Sequence, residues 1–201
     1  MNEIFEFQTI ASPVKDITFK EKGSKFIGFA TPVSDETEVK NALDEVRALH
    51  PKATHHCYAY RLGIAGEIYR TNDDGEPSGS AGLPIYNQIL SHGITDLLLV
   101  VVRYYGGTKL GVSGLIKAYK ESAKMTLDET EIITKELEIK LLTKFPLEKQ
   151  HVVFTLLNKF SAEIKNFTAE EQGEIYAKIK ARYREEFTQK LSELAIEFEF
   201  F

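Results

Sequence analysis

The segment 71–84, TNDDGEPSGSAGLP, places the carboxylates Asp73, Asp74 and Glu76 within four positions and follows them with Ser78, Gly79, Ser80 and Gly82. Grouped carboxylates can hold a divalent cation through oxygen ligands, or split their pKa values and divide acid and base work. The same Asn-Asp-Asp-Gly run also suits a tight turn, because these residues tolerate or need a positive φ. Both alternatives stand on the residues alone. A metal cage would need further oxygen ligands, and none announces itself in the chain.

The glycines raise a second possibility. Gly75, Gly79 and Gly82 lead into helical spacing, and the first amides of a helix lack partners and can receive an anion. Gly106, Gly107, Gly111 and Gly114, with Thr108 and Lys109, make the same offer ahead of another helix. Neither stretch is a G-x-G-x-x-G or a G-K-[ST] fingerprint. Close helix–strand packing also calls for glycine, so cradle and packing remain alternatives. Arg103, Tyr104 and Tyr105 end a strongly apolar run, where side chains emerge from a rigid scaffold. The arginine could meet a phosphate and a tyrosine could stack a base. Otherwise Arg103 pairs with Asp73 or Asp74 and one tyrosine is core. Lys25, with Lys20 and Lys22 in KEKGSK, is either a solvated hairpin edge or the rim of the same cleft.

His55 and His56 lie in a presumed strand and must point to opposite faces, so they cannot share a metal from there and zinc is not expected. Cys57 has no activating neighbour and reads as a small buried hydrophobe. GVSG lacks the spacing of a nucleophile elbow, which removes support for a serine triad.

The elements that must position these residues are legible. ITFKEKGSKFIGFATPV predicts a hairpin turning at Gly23-Ser24. In the next segment Val39, Ala42, Leu43, Val46 and Leu49 share a helix face, with Ser34 as N-cap and Pro51 as stop. THHCYAYRLG and EIYRTND follow as strands. Leu83, Tyr86, Ile89 and Leu90 mark a helix, DLLLVVVRYY a buried strand, and Val112, Leu115, Ile116, Tyr119 and Ala123 the inner face of a further helix. After TLDET glycine occurs once, at Gly173, and the pattern becomes strand, helix, two strands, helix, strand. That order is the ferredoxin-like β-α-β-β-α-β unit. The expectation is an α+β chain of two domains, residues 1–130 and 131–201.

The totals bound the function class. Of 201 residues, 43% are hydrophobic and 27% charged, enough for real cores. A net charge of −5 denies the chain a strong global field for nucleic acid. One cysteine excludes an intrachain disulfide. The opening MNEIFEFQTI is acidic and lacks a signal-peptide core, and LLLVVV falls far short of the ~20 residues of a membrane span, so a soluble cytoplasmic protein is expected with no membrane partner.

TNDDGEPSGSAGLPIYNQIL followed by VVVRYYGGTKLGVSGLIKAY closely resembles the signature of the IMPACT family, and KGSKFIGFA and ATHHCYAYR extend the likeness over most of residues 12–125. The resemblance implies an N-terminal α/β sandwich like the second domain of a small-subunit ribosomal protein. It also implies a C-terminal ferredoxin-like domain similar to the last domain of elongation factor G. Eukaryotic relatives restrain the amino-acid-starvation kinase and carry a different N-terminal partner domain that has no counterpart here. What carries over is a translation- or stress-linked binding protein with RNA or the ribosome as favoured ligand and a protein partner in translation control as a further prospect. The positions matched to the family are Lys25, His55, Asp73, Asp74, Glu76, Gly79, Gly82, Arg103, Tyr104, Gly106 and Gly107. No cofactor and no catalytic role come with the resemblance. The expected site is a single cleft between the two glycine turns, with Arg103 and Lys109 supplying charge and Tyr104 or Tyr105 a stacking face. The alternatives are a metal-assisted phosphoryl hydrolase using Asp73, Asp74 and Glu76, and a pure protein-interaction module.

Overall fold

The computed structural model describes residues 4–201. The chain divides into two compact units, Phe7–Lys135, and Glu136–Phe201 with the described residues up to Glu6. The architecture is α+β in two domains.

In the first unit a five-stranded sheet has the order β2 (Val14–Glu21), β3 (Ser24–Pro32), β6 (Leu97–Tyr104), β4 (His55–Leu62), β5 (Ile68–Asn72), every neighbour antiparallel. Two further strands, β1 (Glu6–Ile10) and β7 (Ile132–Glu136), form a separate ladder that the residue pattern did not announce. The central strand explains its own composition. Leu97, Leu99 and Val101 join one buried cluster with α2 (Gly82–Ser91) and α3 (Gly111–Asp128). Leu98, Val100 and Val102 join a second with α1 (Glu36–Leu49). A strand covered on both faces has no polar side to show, so its residues read as one apolar run.

The helices differ in detail from the periodicity. Asp35, not Ser34, caps α1, accepting the Glu38 amide at 2.8 Å, and Leu49 is exposed. In α2 the buried positions are Gly82, Pro84, Ile85, Gln88 and Ile89, while Leu83 and Leu90 face solvent. In α3 the inner face is Leu115, Ala118, Tyr119, Ser122 and Ala123; Val112 and Ile116 are exposed. Small Ser122 and Thr126 are fully buried because α3 runs hard against β3 at Gly28.

The second unit carries β8 (Glu138–Phe145), α4 (Gln150–Lys159), β9 (Glu163–Ala169), β10 (Gly173–Lys180), α5 (Arg184–Glu193) and β11 (Glu197–Phe200). Its antiparallel sheet runs β11-β8-β10-β9, the ferredoxin-like arrangement. Leu141, Phe145, Ile175 and Ile179 on one sheet face meet Val153, Leu157, Phe187 and Leu191 from the helices. Among the described residues no helix is long and apolar enough to cross a membrane.

A Cβ on Gly28 would stand 1.7 Å from Thr126 Oγ1 and 2.9 Å from its Cβ. Gly28→Ala should therefore cost about 1–3 kcal/mol through overpacking, read as a lower urea midpoint at unchanged slope.

Candidate functional site

The acidic, glycine-rich segment between β5 and α2 is a built loop. Asp74 (φ 45°) and Gly75 (φ 89°) are the central residues of a turn closed by the Glu76 amide donating to the Asp73 carbonyl at 2.9 Å. Two positive φ values in succession are what an Asp-Gly pair accommodates. Asn72 Oδ1 accepts the Asp74 amide at 2.8 Å and fixes the entry.

The three carboxylates diverge. Asp73 accepts the amides of Ala81 and Gly82 on Oδ1, at 3.0 and 2.8 Å, and that of Gly79 on Oδ2 at 2.8 Å. It is an internal anion seated on the start of α2. The expected open cradle at that helix is already filled, because a side chain nine residues upstream satisfies the amides that a ligand would have met. Asp74 Oδ2 accepts the His56 amide at 2.6 Å. Glu76 turns inward. Among the described residues no group of three or more metal-capable side chains forms.

Glu76 and Arg103 form a buried ion pair at 2.5 Å, their side chains 4% and 6% exposed. Glu76 Oε1 also accepts the Tyr119 hydroxyl at 2.8 Å. Burial raises the Tyr119 pKa well above that of a free phenol, so the hydroxyl stays protonated and donates. Arg103 Nη2 reaches Ser24 Oγ at 3.4 Å, and the same oxygen accepts the Gly106 amide at 3.2 Å. The guanidinium lies 5.5 Å from the Phe26 ring centre and 5.6 Å from that of Tyr105. Arg103 thus pairs with Glu76 rather than with Asp73 or Asp74, and is sealed rather than presented to a ligand. It ties the first glycine loop to the β2–β3 turn and to the second glycine turn.

Strand alternation separates the neighbours. His55 pairs with Arg103 across β4 and β6 and shares its face. Its Nδ1 donates to the Asp74 carbonyl at 2.6 Å, and its Nε2 stands 3.8 Å from Glu76 Oε1. His56 takes the opposite face, where Nε2 bonds the His50 carbonyl at 3.2 Å. Tyr104 is on that face too, its hydroxyl 3.0 Å from His50 Nδ1, so it cannot share a pocket with Arg103. Lys25 pairs with Tyr104 in register and is exposed there. Burial raises the Cys57 pKa, which makes the thiol inert and matches its buried setting beside Tyr119.

The second glycine turn is different in kind. A Cβ on Gly106 would fall 1.9 Å from the Gly23 carbonyl carbon, so this turn and the hairpin turn touch backbone to backbone. Gly107 and Gly111, with φ of 85° and 70°, have open space around them. Helix α3 begins without a side-chain cap. Beside it a cavity of about 300 Å³ is lined by Lys22, Lys117 and Ser113, with the carboxylate-bearing Glu21, over Phe19 and Leu110. Tyr105, Thr108 and Lys109 are exposed nearby in sequence, and Ser78 is exposed on the first loop while Ser80 is buried with its hydroxyl on the Pro77 carbonyl. Lys117, Ser113 and Ser24 carry no signal in the sequence. All three are ordinary surface or turn types, and only the fold brings Lys22 to Lys117.

Glu76→Gln leaves a buried guanidinium without its counter-charge and should cost about 3–5 kcal/mol, whereas Glu76→Gln with Arg103→Met should lose less than the single change, measured by urea unfolding. Desolvation lowers the His56 pKa below 6.5. The unfolded chain then binds the proton more readily, so stability is fully present above pH 6.5 and declines as pH falls toward the lowered native value. His56→Gln should flatten that decline in a pH series of thermal melts.

Residues 22–127 match the Impact N-terminal domain. The chain is 40% identical over 114 residues to the IMPACT family member YvyE of Bacillus subtilis, covering 57% of this chain and 52% of that protein. It is 29% identical over 189 residues to an IMPACT family member of Haemophilus influenzae, covering 90% of each. A solved structure described as a hypothetical protein superposes with a TM-score of 0.75 at 28% identity, over 98% of this chain and 97% of the other. The match to YvyE spans about half of that relative's length. The domain match takes in both glycine turns and the Glu76–Arg103 pair that joins them, and with it the chain belongs to the IMPACT family.

Proposed function

We propose that the chain is a translation-linked binding protein whose N-terminal unit takes a phosphate-bearing ligand, RNA alone or on a ribosomal surface, at the second glycine turn. The observation that carries this is the cavity beside the start of α3, where Lys22 and Lys117 face one space next to an uncapped helix start. Two ammonium groups and a helix start favour an anion by charge and dipole together, against the single opposing carboxylate of Glu21. The exposed ring of Tyr105 offers a stacking surface on the same turn, and Lys109 adds a cation to it. The overall net charge of −5 restricts such contact to a local footprint. The link to translation rests on the family, whose eukaryotic members the resemblance ties to the starvation kinase.

Binding of a short single-stranded RNA, followed by filter retention across a salt series, tests this. Lys22→Ala with Lys117→Ala should weaken binding on the order of tenfold at low salt and reduce the salt slope by about one for each phosphate left without its ammonium group. Equal affinity and equal slope for the variant and the parent protein would remove the second turn from the function.

A further inference from the structure

The second unit leaves one face of its sheet open. Helices α4 and α5 cover the face that carries Leu141, Phe145, Ile175 and Ile179. The alternate residues form the other face, and their register is fixed by the ladders: Glu174 lies opposite Lys144, Tyr176 opposite Leu142, Lys178 opposite Lys140, and Lys180 opposite Glu138. On β11, Glu197 pairs with Lys144 and Glu199 with Leu142. Phe201 exchanges both backbone hydrogen bonds with Lys140, at 3.1 and 3.2 Å, and its ring stacks on Tyr176 with centres 5.8 Å apart.

We propose that this open face pairs with the same face of a second copy of the chain. The centre is apolar, Leu142 with the Tyr176–Phe201 stack, and the charges around it balance: Lys140, Lys144, Lys165, Lys178 and Lys180 against Glu138, Glu163, Glu174, Glu197 and Glu199. Such balance disfavours a polyanion, which needs a surplus of cations, and suits a partner bearing the same pattern. Within the chain Lys144 bonds Glu174 at 3.2 Å and Lys180 bonds Glu136, so these charges are shared with the second copy, while Lys140, Glu197 and Glu199 make no ion pair among the described residues. A two-fold axis along the strands, between β8 and β10, sets β10 of one copy against β8 of the other. Glu174 then meets Lys144, Tyr176 meets Leu142 and Lys180 meets Glu138, each twice by symmetry. One like-charged pairing, Lys178 with Lys140, remains on this axis, and Glu138 already holds Lys178 at 3.2 Å within its own chain. An axis across the strands at Leu142 would bring Glu174 toward Lys178 but Lys144 toward Lys140, and gains less.

Four strands about 4.8 Å apart, of eight, eight, seven and four residues, give a patch of about 430 Å² per copy, or about 860 Å² in all. That lies at the low end of specific interfaces, so the association is weak and concentration-dependent.

Sedimentation velocity on the full chain, from micromolar to near-millimolar protein, reads the outcome. A monomer–dimer equilibrium is expected. Tyr176→Glu should weaken it at least tenfold while leaving the thermal melt in place. Lys144→Glu and Glu174→Lys should each weaken it, and the two together, which restore opposite charges at both symmetric contacts, should recover most of the affinity. A single monomeric species throughout the range overturns the proposal. So does a dimer indifferent to Tyr176→Glu and to the charge swaps, or retention of single-stranded RNA by the full chain that Tyr176→Glu abolishes.

Discussion

The Glu76–Arg103 pair is the constraint on which the first unit depends. Two full charges withdrawn from water are costly unless each finds its complement and further hydrogen bonds, and here Tyr119 and Ser24 supply those bonds. The pair joins a loop, the central strand, the hairpin turn and α3, elements as far apart in sequence as Ser24 and Tyr119. None of these can drift without exposing a charge to hydrocarbon. The glycine loops beside the pair owe their positions to it. A group so occupied serves as a fastening, and the recognition chemistry moves outward to residues whose charges are not spoken for.

The two glycine turns, alike in composition, have opposite fates. At the first, Asp73 occupies the helix amides and the loop is complete in itself. At the second, Gly106 is committed to the hairpin, while Gly107, Gly111 and the start of α3 stay open beside Lys22 and Lys117. Surplus carboxylates at one turn and surplus ammonium groups at the other therefore play different parts, one closing a structure and the other leaving a surface for a partner. A residue's charge decides little until its neighbours are counted.

Much of this is readable in the order of residues. The apolar run of β6, the turn chemistry of Asp74-Gly75 and the opposite facing of His55 and His56 follow from period and φ preference alone. The faces of α2 and α3 do not. Helix α2 contains no charged residue, so its apolar period has no polar side to orient it, and Leu83 and Leu90 are as eligible as Ile85 and Ile89. In α3 the close pass over Gly28 demands small side chains, and Ser122 and Thr126 displace larger residues from the inner face. The partner of Arg103 is equally hidden. Three carboxylates stand within reach of the strand end, and choosing among them requires knowing that loop amides have taken Asp73. Strands β1 and β7 have five residues each and form a ladder of two, which leaves too little pattern to read.

The double-sided burial of β6 makes alignment along that strand unforgiving. Side chains alternate strictly, so a slip of a single residue against β3 and β4 would exchange the hydrocarbon of the two layers with little change in its volume. Leucine and valine would tolerate the swap. Arg103 would not, since its head would be driven toward the layer of Tyr58, Tyr60 and Leu43, away from the buried anion that neutralises it. A lone cation at the end of a nearly uniform greasy ribbon thus acts as the index mark that tells the ribbon where to stop.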